Sequence, residues 1–236
     1  MSTPEGPQIP PQGEPVPPTP PQYPPQPAAA APPGAALVVP NASGPPHPPY
    51  AVQVQIGYPE QLSRWLPFVK WLLAIPHFIV LYLLRIGALF VVVFAFFAVL
   101  FTGRYPQGAF DFLTGYYRWG TRVGAYILLL TDAYPPFSLD DDPAYPVRLT
   151  IDYPAQGIAR WRPLVQWLLV IPAGIGAALL GLGALVAYIV GWFAVVFTRR
   201  FPRGLFELVV VALRWQARVN AYTDFMTEQY PPFVYG

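Results

Sequence analysis

The chain of 236 residues contains no cysteine. That absence excludes disulfides, thiolate metal sites and cysteine nucleophiles together, and leaves the redox compartment unreadable. Histidine is nearly as scarce: His47 and His77 are the only two, too few for a histidine-rich metal site. Charged residues make up 11%, against about 25% in soluble globular domains, so much of the surface is not expected to face water. A net charge of +2 offers no strong field to draw nucleic acid. There is no glycine-rich phosphate loop, no serine nucleophile elbow and no metal-ligand spacing. Neither an enzyme nor a cofactor is therefore expected. Met1 to Pro11 has neither a basic region nor an apolar core, so no cleavable signal peptide is expected. The first apolar run begins near Leu66 and is expected to act as an internal signal-anchor.

What the chain has in excess is apolar and aromatic, 54% and 16%, and tryptophan and tyrosine favour membrane interfaces. Proline is concentrated in residues 1–49, where Glu5 and Glu14 are the only charged side chains. Such a segment buries too little apolar area to offset its ordering entropy. It is expected to be a disordered tail of polyproline II character. Two roles stand open for it: a spacer, or a docking peptide for a proline-reading protein partner through residues 17–21 or 21–24.

The rest is an internal duplication. Arg64-Trp65-Leu66-Pro67 returns as Arg160-Trp161-Arg162-Pro163, and Trp71-Leu72-Leu73-Ala74-Ile75-Pro76 as Trp167-Leu168-Leu169-Val170-Ile171-Pro172, both at an offset of 96. The match continues through Phe101-Thr102-Gly103-Arg104-Tyr105-Pro106 and Phe197-Thr198-Arg199-Arg200-Phe201-Pro202, and ends at Tyr134-Pro135-Pro136-Phe137 and Tyr230-Pro231-Pro232-Phe233. Upstream, Ile56-Gly57-Tyr58-Pro59 matches Ile151-Asp152-Tyr153-Pro154 at an offset of 95. The boundaries expected are a tail over 1–49 and membrane repeats over 50–139 and 140–236. Each repeat opens on strict alternation, Val52, Val54, Ile56 and then Val147, Leu149, Ile151, the pattern of a half-buried strand. A lone strand is unstable, so the two are expected to pair across the duplication.

The apolar runs, from about Leu66 to Phe101 and Leu164 to Thr198, would measure roughly 50 Å as single helices, against a bilayer core of about 30 Å. Arg85-Ile86-Gly87 and Gly181-Leu182-Gly183 stand midway and suit a turn. With two spans per run, every Lys and Arg but Arg85 falls on one side, as the positive-inside rule favours. The expectation is a transmembrane helical hairpin in each repeat, multi-pass in the cell membrane, with both termini cytoplasmic. Each hairpin is followed by a further helical segment, 106–131 and 202–227, opened by Pro106 and Pro202. On these segments Arg118, Arg122 and Tyr126, and again Arg214, Arg218 and Tyr222, stand four apart and share a face. That stripe is expected to lie on the cytoplasmic leaflet and touch anionic lipid head groups. The alternative is that the arginines pair with Asp111 and Glu207.

These runs together resemble a family of bacterial membrane proteins, common in actinobacteria and often tandem, called domain of unknown function 4389. The Arg-Trp…Trp-Leu-Leu-Ala-Ile-Pro-His run, Phe-Thr-Gly-Arg-Tyr-Pro, Arg-Trp-x-x-Arg-Val-x-Ala-Tyr and Tyr-Pro-Pro-Phe carry the likeness, over about residues 50–236. The resemblance implies a membrane location and no established activity. Repeat 2 departs from it, with Ala173 at the place of His77 and Gln166 at that of Lys70.

Three groups invite chemistry. His77 reads as a packed histidine or a proton relay, Asp140-Asp141-Asp142 as a solvated linker or a weak cation site, and Arg85 as a snorkelling residue. The reading expected is a mainly α membrane protein of two repeats, each a strand, a transmembrane hairpin and an amphipathic interfacial helix. It would act as a non-catalytic scaffold or accessory subunit touching anionic lipid or partner proteins. The alternative is a small transporter or channel with a path between the repeats.

Overall fold

The structure, a computed structural model, describes residues 50–232; the expectations for the proline-rich tail lie outside them. Seven elements follow one another: β1 (Val52–Ile56), α1 (Leu66–Leu73), α2 (Ile75–Thr102), α3 (Gln107–Ile127), β2 (Val147–Ile151), α4 (Arg162–Thr198) and α5 (Arg203–Thr223).

The two strands pair antiparallel, with Val52 opposite Ile151 and Ile56 opposite Val147. The central pair is Val54 and Leu149, which are repeat-equivalent, so an approximate two-fold axis passes between them. Alternation places Val52, Val54, Ile56, Val147, Leu149 and Ile151 on one buried face, over which the two repeats are exchanged: β1 packs on α5 and β2 on α3. Behind them α3 packs on α2 and α5 on α4. The result is three layers: sheet, then α3 and α5, then the long helices.

The hairpin expectation is corrected here. α4 is a single helix of 37 residues that carries Pro172, Gly181 and Gly183 inside it. In repeat 1 the helix bends once, at Ala74 ahead of Pro76, and α2 then runs through Arg85 and Gly87 to Thr102. A glycine inside a helix costs only about 1 kcal/mol, whereas a break would orphan four N–H and four C=O groups on apolar ground. The true stops are Gly103 and Arg199, both left-handed, at φ 71° and φ 61°. Pro106 and Pro202 then stand at the N-caps of α3 and α5, where a missing N–H costs nothing.

Two hydrogen bonds fix how the long helices lie. Leu62 N–H, just before α1, donates to Arg199 O, just after α4, at 2.8 Å; Ile158 N–H, just before α4, donates to Gly103 O, just after α2, at 2.8 Å. Each helix therefore begins where the other ends, and the pair runs antiparallel. Trp192 of α4 confirms the register, with its Nε1 donating to Pro67 O at 3.4 Å and its ring edge-on to Phe68.

Candidate functional site

The polar contacts around the sheet follow the two-fold. The sheet ladder bonds through Gly57 N to Pro146 O and Asp152 N to Ala51 O at its ends. The alternation of an antiparallel ladder then leaves Val54 and Leu149 as a non-bonded pair with carbonyls pointing outward. Arg214 Nε donates to Val54 O at 3.0 Å, and Arg118 Nε to Leu149 O at 3.3 Å. The two arginines satisfy carbonyls that a two-stranded sheet leaves open. Tyr58 OH donates to Phe201 O and Tyr153 OH to Tyr105 O, both at 2.6 Å.

Arg122 is fully buried, donates to Asp140 O at 2.9 Å and Ser138 O at 3.5 Å, and lies over the Tyr145 ring at 5.7 Å. Burial, and the neighbouring Arg118 after it, hold its guanidinium below the ordinary arginine value. Asp141 gathers the cations of this region, at 2.5 Å from Arg148, 3.8 Å from Arg118 and 4.0 Å from Arg122. The hydrogen bond from Arg148 and the positive cluster around it keep its carboxyl below the usual range. The acidic triplet stays at the surface, and from there Asp141 serves as counter-ion to the cluster, so that Arg118 and Arg122 meet Asp141 in place of Asp111.

The basic-aromatic stripe is corrected accordingly. Arg122, Tyr126 and Tyr222 are buried, Arg118 and Arg214 are tied to the strands, and Arg218 lies over the Tyr50 ring at 5.0 Å. A buried side chain does not meet a head group. Four-residue spacing identifies a common helix face and is silent on which way that face turns; here it turns to the sheet.

Equivalent positions carry different chemistry where the repeats diverge. Lys70, 2% exposed, donates to Thr131 O at 2.6 Å, pairs with Asp132 at 2.8 Å and lies over Tyr126 at 4.7 Å. Gln166 does the neutral counterpart, donating to Tyr222 O at 2.5 Å and Thr227 O at 3.0 Å. His77 is enclosed, stacked on Phe137 at 3.9 Å, and its Nδ1 accepts from Trp119 Nε1 at 3.1 Å. In repeat 2 Trp215 Nε1 donates instead to the Ala173 carbonyl at 3.1 Å. His77 therefore sits as a packed acceptor. Among the described residues no group of three His, Asp or Glu is placed to hold a metal ion.

One contact has no repeat equivalent. Tyr117 OH donates to the Asp224 carboxylate, while Tyr105 OH donates to the Asp224 carbonyl at 3.1 Å. The two-fold partners of Tyr117 and Asp224 are Leu213 and Leu128. Burial pushes the Asp224 carboxyl up from its usual value and the Tyr117 phenol up likewise. Between the unfolded carboxylate value, about 3.9, and the raised one, the native state holds a proton that the unfolded chain has lost. Stability therefore falls as pH rises through that window. Asp141, whose carboxyl is depressed, acts below it with the opposite sign. We expect melting temperature to decline as pH rises through that window in the native protein, and the decline to be largely absent in Asp224→Asn. An unchanged slope would remove Asp224 as its source.

Turned away from this network is a face of the opposite kind. The long helices, Leu66–Thr102 and Arg162–Thr198, are long and apolar enough to cross a membrane, with mean hydropathy 2.7 and 2.3, and only 17% and 22% of their most apolar windows are buried. Soluble core helices are mostly buried, so these are not core helices of that kind. The exposed residues repeat at the same offset of 96: Trp65, Phe68, Trp71, Leu83, Phe90 and Phe97 on one helix, Trp161, Leu164, Trp167, Leu179, Val186 and Phe193 on the other. Of the motif residues, Arg64, Arg104, Arg160, Arg200, Pro76, Pro172 and Pro202 are exposed and Pro106 is half-buried. The arginines stand at the ends of this face.

Fold and surface together define a class: a duplicated, strand-exchanged helical chain with a polar interior network and two long apolar helices laid outward. The chain belongs to the family described as domain of unknown function (DUF4389), whose model matches it twice, over residues 64–138 and 160–234. Both strands fall outside the matched segments. Neither a curated protein nor a solved structure matches the chain.

Proposed function

We propose that this protein is a non-catalytic membrane scaffold or accessory subunit, which holds its body at a membrane and presents it, with the proline-rich segment, to partner proteins. The observation that carries the reading is the exposed apolar face on both long helices. A soluble monomer rarely exposes a contiguous apolar patch beyond a few hundred Å², and two helices of this length exceed that. Against a transport path, the polar side chains between the repeats are engaged with one another and with backbone carbonyls. One hollow, of about 670 Å³, is lined mostly by Phe94, Phe97, Ala98 and Phe101 on the flank of α2, away from the space between the repeats.

The protein is expected to stay with membranes through an alkaline carbonate wash. Replacing Leu83, Phe90, Leu179 and Val186 together by glutamate is expected to release it, because an acidic group in hydrocarbon costs about 2.5–3.5 kcal/mol each. Recovery of the native protein in the wash would end the membrane reading. Crosslinking from native membranes, with and without residues 1–49, then identifies what the body and the tail hold.

A further inference from the structure

We propose that the two long helices lie flat in a single anionic leaflet, with the two-fold axis along the membrane normal, and that they do not cross the bilayer. The inference rests on the membrane reading above and specifies its geometry.

Length argues first. α4, with 37 residues, is about 55 Å long and would need a tilt of roughly 55° to fit across a hydrocarbon core of about 30 Å; α2, with 28 residues beyond the bend at Ala74, is about 42 Å long and would need roughly 45°, both beyond the 0–40° range of transmembrane helices. What packs on the helices argues next. α5 runs back along α4, from Phe201 beside Gly191 to Tyr222 beside Gln166. α3 does the same along α2, from Phe112 beside Gly87 to Tyr126 beside Lys70. If the long helices crossed, α3 and α5 would cross with them. The sheet, joined to the middle of α3 and α5 by Arg118 and Arg214, would then sit near the bilayer midplane. Its outer face carries Gln53, Gln55, Arg148, Thr150 and the neighbouring Asp152, and an open sheet edge is not tolerated in hydrocarbon. Laid flat, the same body stands clear of the lipid, with the long helices as its only immersed layer.

Charge marks the rim. The antiparallel arrangement gathers Arg64, Arg199 and Arg200 at one end of the pair and Arg104 and Arg160 at the other, all exposed. Trp65 and Trp161, 80% and 59% exposed, stand beside them. Tryptophan favours the head-group level, and arginine there is drawn to phosphate. The apolar hollow on the flank of α2 has Arg104 at its edge, which suits an acyl chain below and a phosphate above. These five arginines, rather than the inward-facing stripe, are the groups positioned to meet anionic lipid.

The absence of cysteine makes the test direct. Gln61→Cys and Gln156→Cys place a thiol at each end of the pair; Leu83→Cys and Leu179→Cys place one mid-helix. In sealed membrane vesicles prepared from expressing cells, an impermeant maleimide is expected to modify positions 61 and 156 from the same side only. Positions 83 and 179 are expected to resist it from both sides. Spin labels at 83 and 179 should both report the depth of one leaflet. Modification of 61 and 156 from opposite faces, or a label at the bilayer centre, would overturn the proposal while leaving membrane residence intact. If positions 83 and 179 are protected in a carbonate-soluble dimer, a second copy covers the face and both readings fall. Replacing the five arginines by glutamine is expected to reduce label depth in vesicles containing phosphatidylglycerol and not in pure phosphatidylcholine. An equal change in both would reject the phosphate contacts.

Discussion

Arg122→Ala is expected to destabilise the protein by about 3 kcal/mol. The side chain is fully buried, so its removal leaves a cavity, and the carbonyls of Ser138 and Asp140 lose their donor. An unsatisfied buried acceptor costs roughly 1–3 kcal/mol, and cavity formation adds to it. Asp141 moderates the loss, because it keeps Arg148 and Arg118 and is itself 31% exposed. Arg122→Met, which fills the volume without donating, isolates the hydrogen-bond part. Arg122→Lys keeps the charge but lacks the planar fork that reaches two carbonyls. The expected order of thermal stability in detergent or nanodiscs is native, then Arg122→Lys, then Met, then Ala. If methionine matches the native protein, Arg122 is a space-filler and its polar partners contribute nothing measurable. The chain segment from Ser138 to Asp141 would loosen first, so hydrogen exchange at Leu139 and Asp140 provides an independent reading.

How far the sequence spoke depends on which interaction set the outcome. Strand pairing across the duplication was legible because alternation and the instability of a lone strand leave few options, and the observed register centres on Val54 and Leu149 as the repeat requires. The positions of α3 and α5 were legible from Pro106 and Pro202. The hairpin was not, because Arg85-Ile86-Gly87 and Gly181-Leu182-Gly183 have the composition of a turn, while the backbone carries both through unbroken helices. The same charge count holds when both helix ends lie on one side without a turn. The direction of the Arg118 and Arg122 stripe was hidden because it depends on β2, which follows α3 by twenty residues and supplies the acceptor. Asp141 looked like linker for a related reason: its cations come from α3 and β2, and only the closed fold assembles them. Asp224 gave a weaker trace, a lone acid against Leu128 of the other repeat, and comparison of the repeats position by position would have singled it out.

Lys70 and Asp132 supply the second large effect, and the duplication supplies its control. Lys70 is 2% exposed and Asp132 28%, with Nζ and Oδ1 at 2.8 Å. Removing the acid strands an ammonium whose remaining partners are the Thr131 carbonyl and the Tyr126 ring. Breaking a buried ion pair from one side costs about 3–5 kcal/mol. The partial exposure of Asp132 places Asp132→Ala near the lower figure. Asp132 Oδ2 also accepts from the Ser63 N–H at 2.6 Å, and that loss is not recovered by anything done to Lys70. In repeat 2 the corresponding positions are Gln166 and Glu228. There Gln166 donates to two carbonyls while Glu228 accepts from the Ala159 N–H at 2.6 Å and approaches Arg162 at 3.8 Å. A neutral amide therefore fits this pocket, and Lys70→Gln alone is expected to cost about 1 kcal/mol, the worth of an ordinary hydrogen bond. Combined with Asp132→Ala it should restore part of the stability that the single acid replacement removes, since no buried charge then stands alone. The shortfall that remains contains the Ser63 bond together with the cost of Lys70→Gln. Thermal unfolding of the two single variants and the double variant decides the matter. If the double variant is as unstable as the sum of the two, the charges do not act as a pair and the destabilisation belongs to the Ser63 contact and to packing around Tyr126.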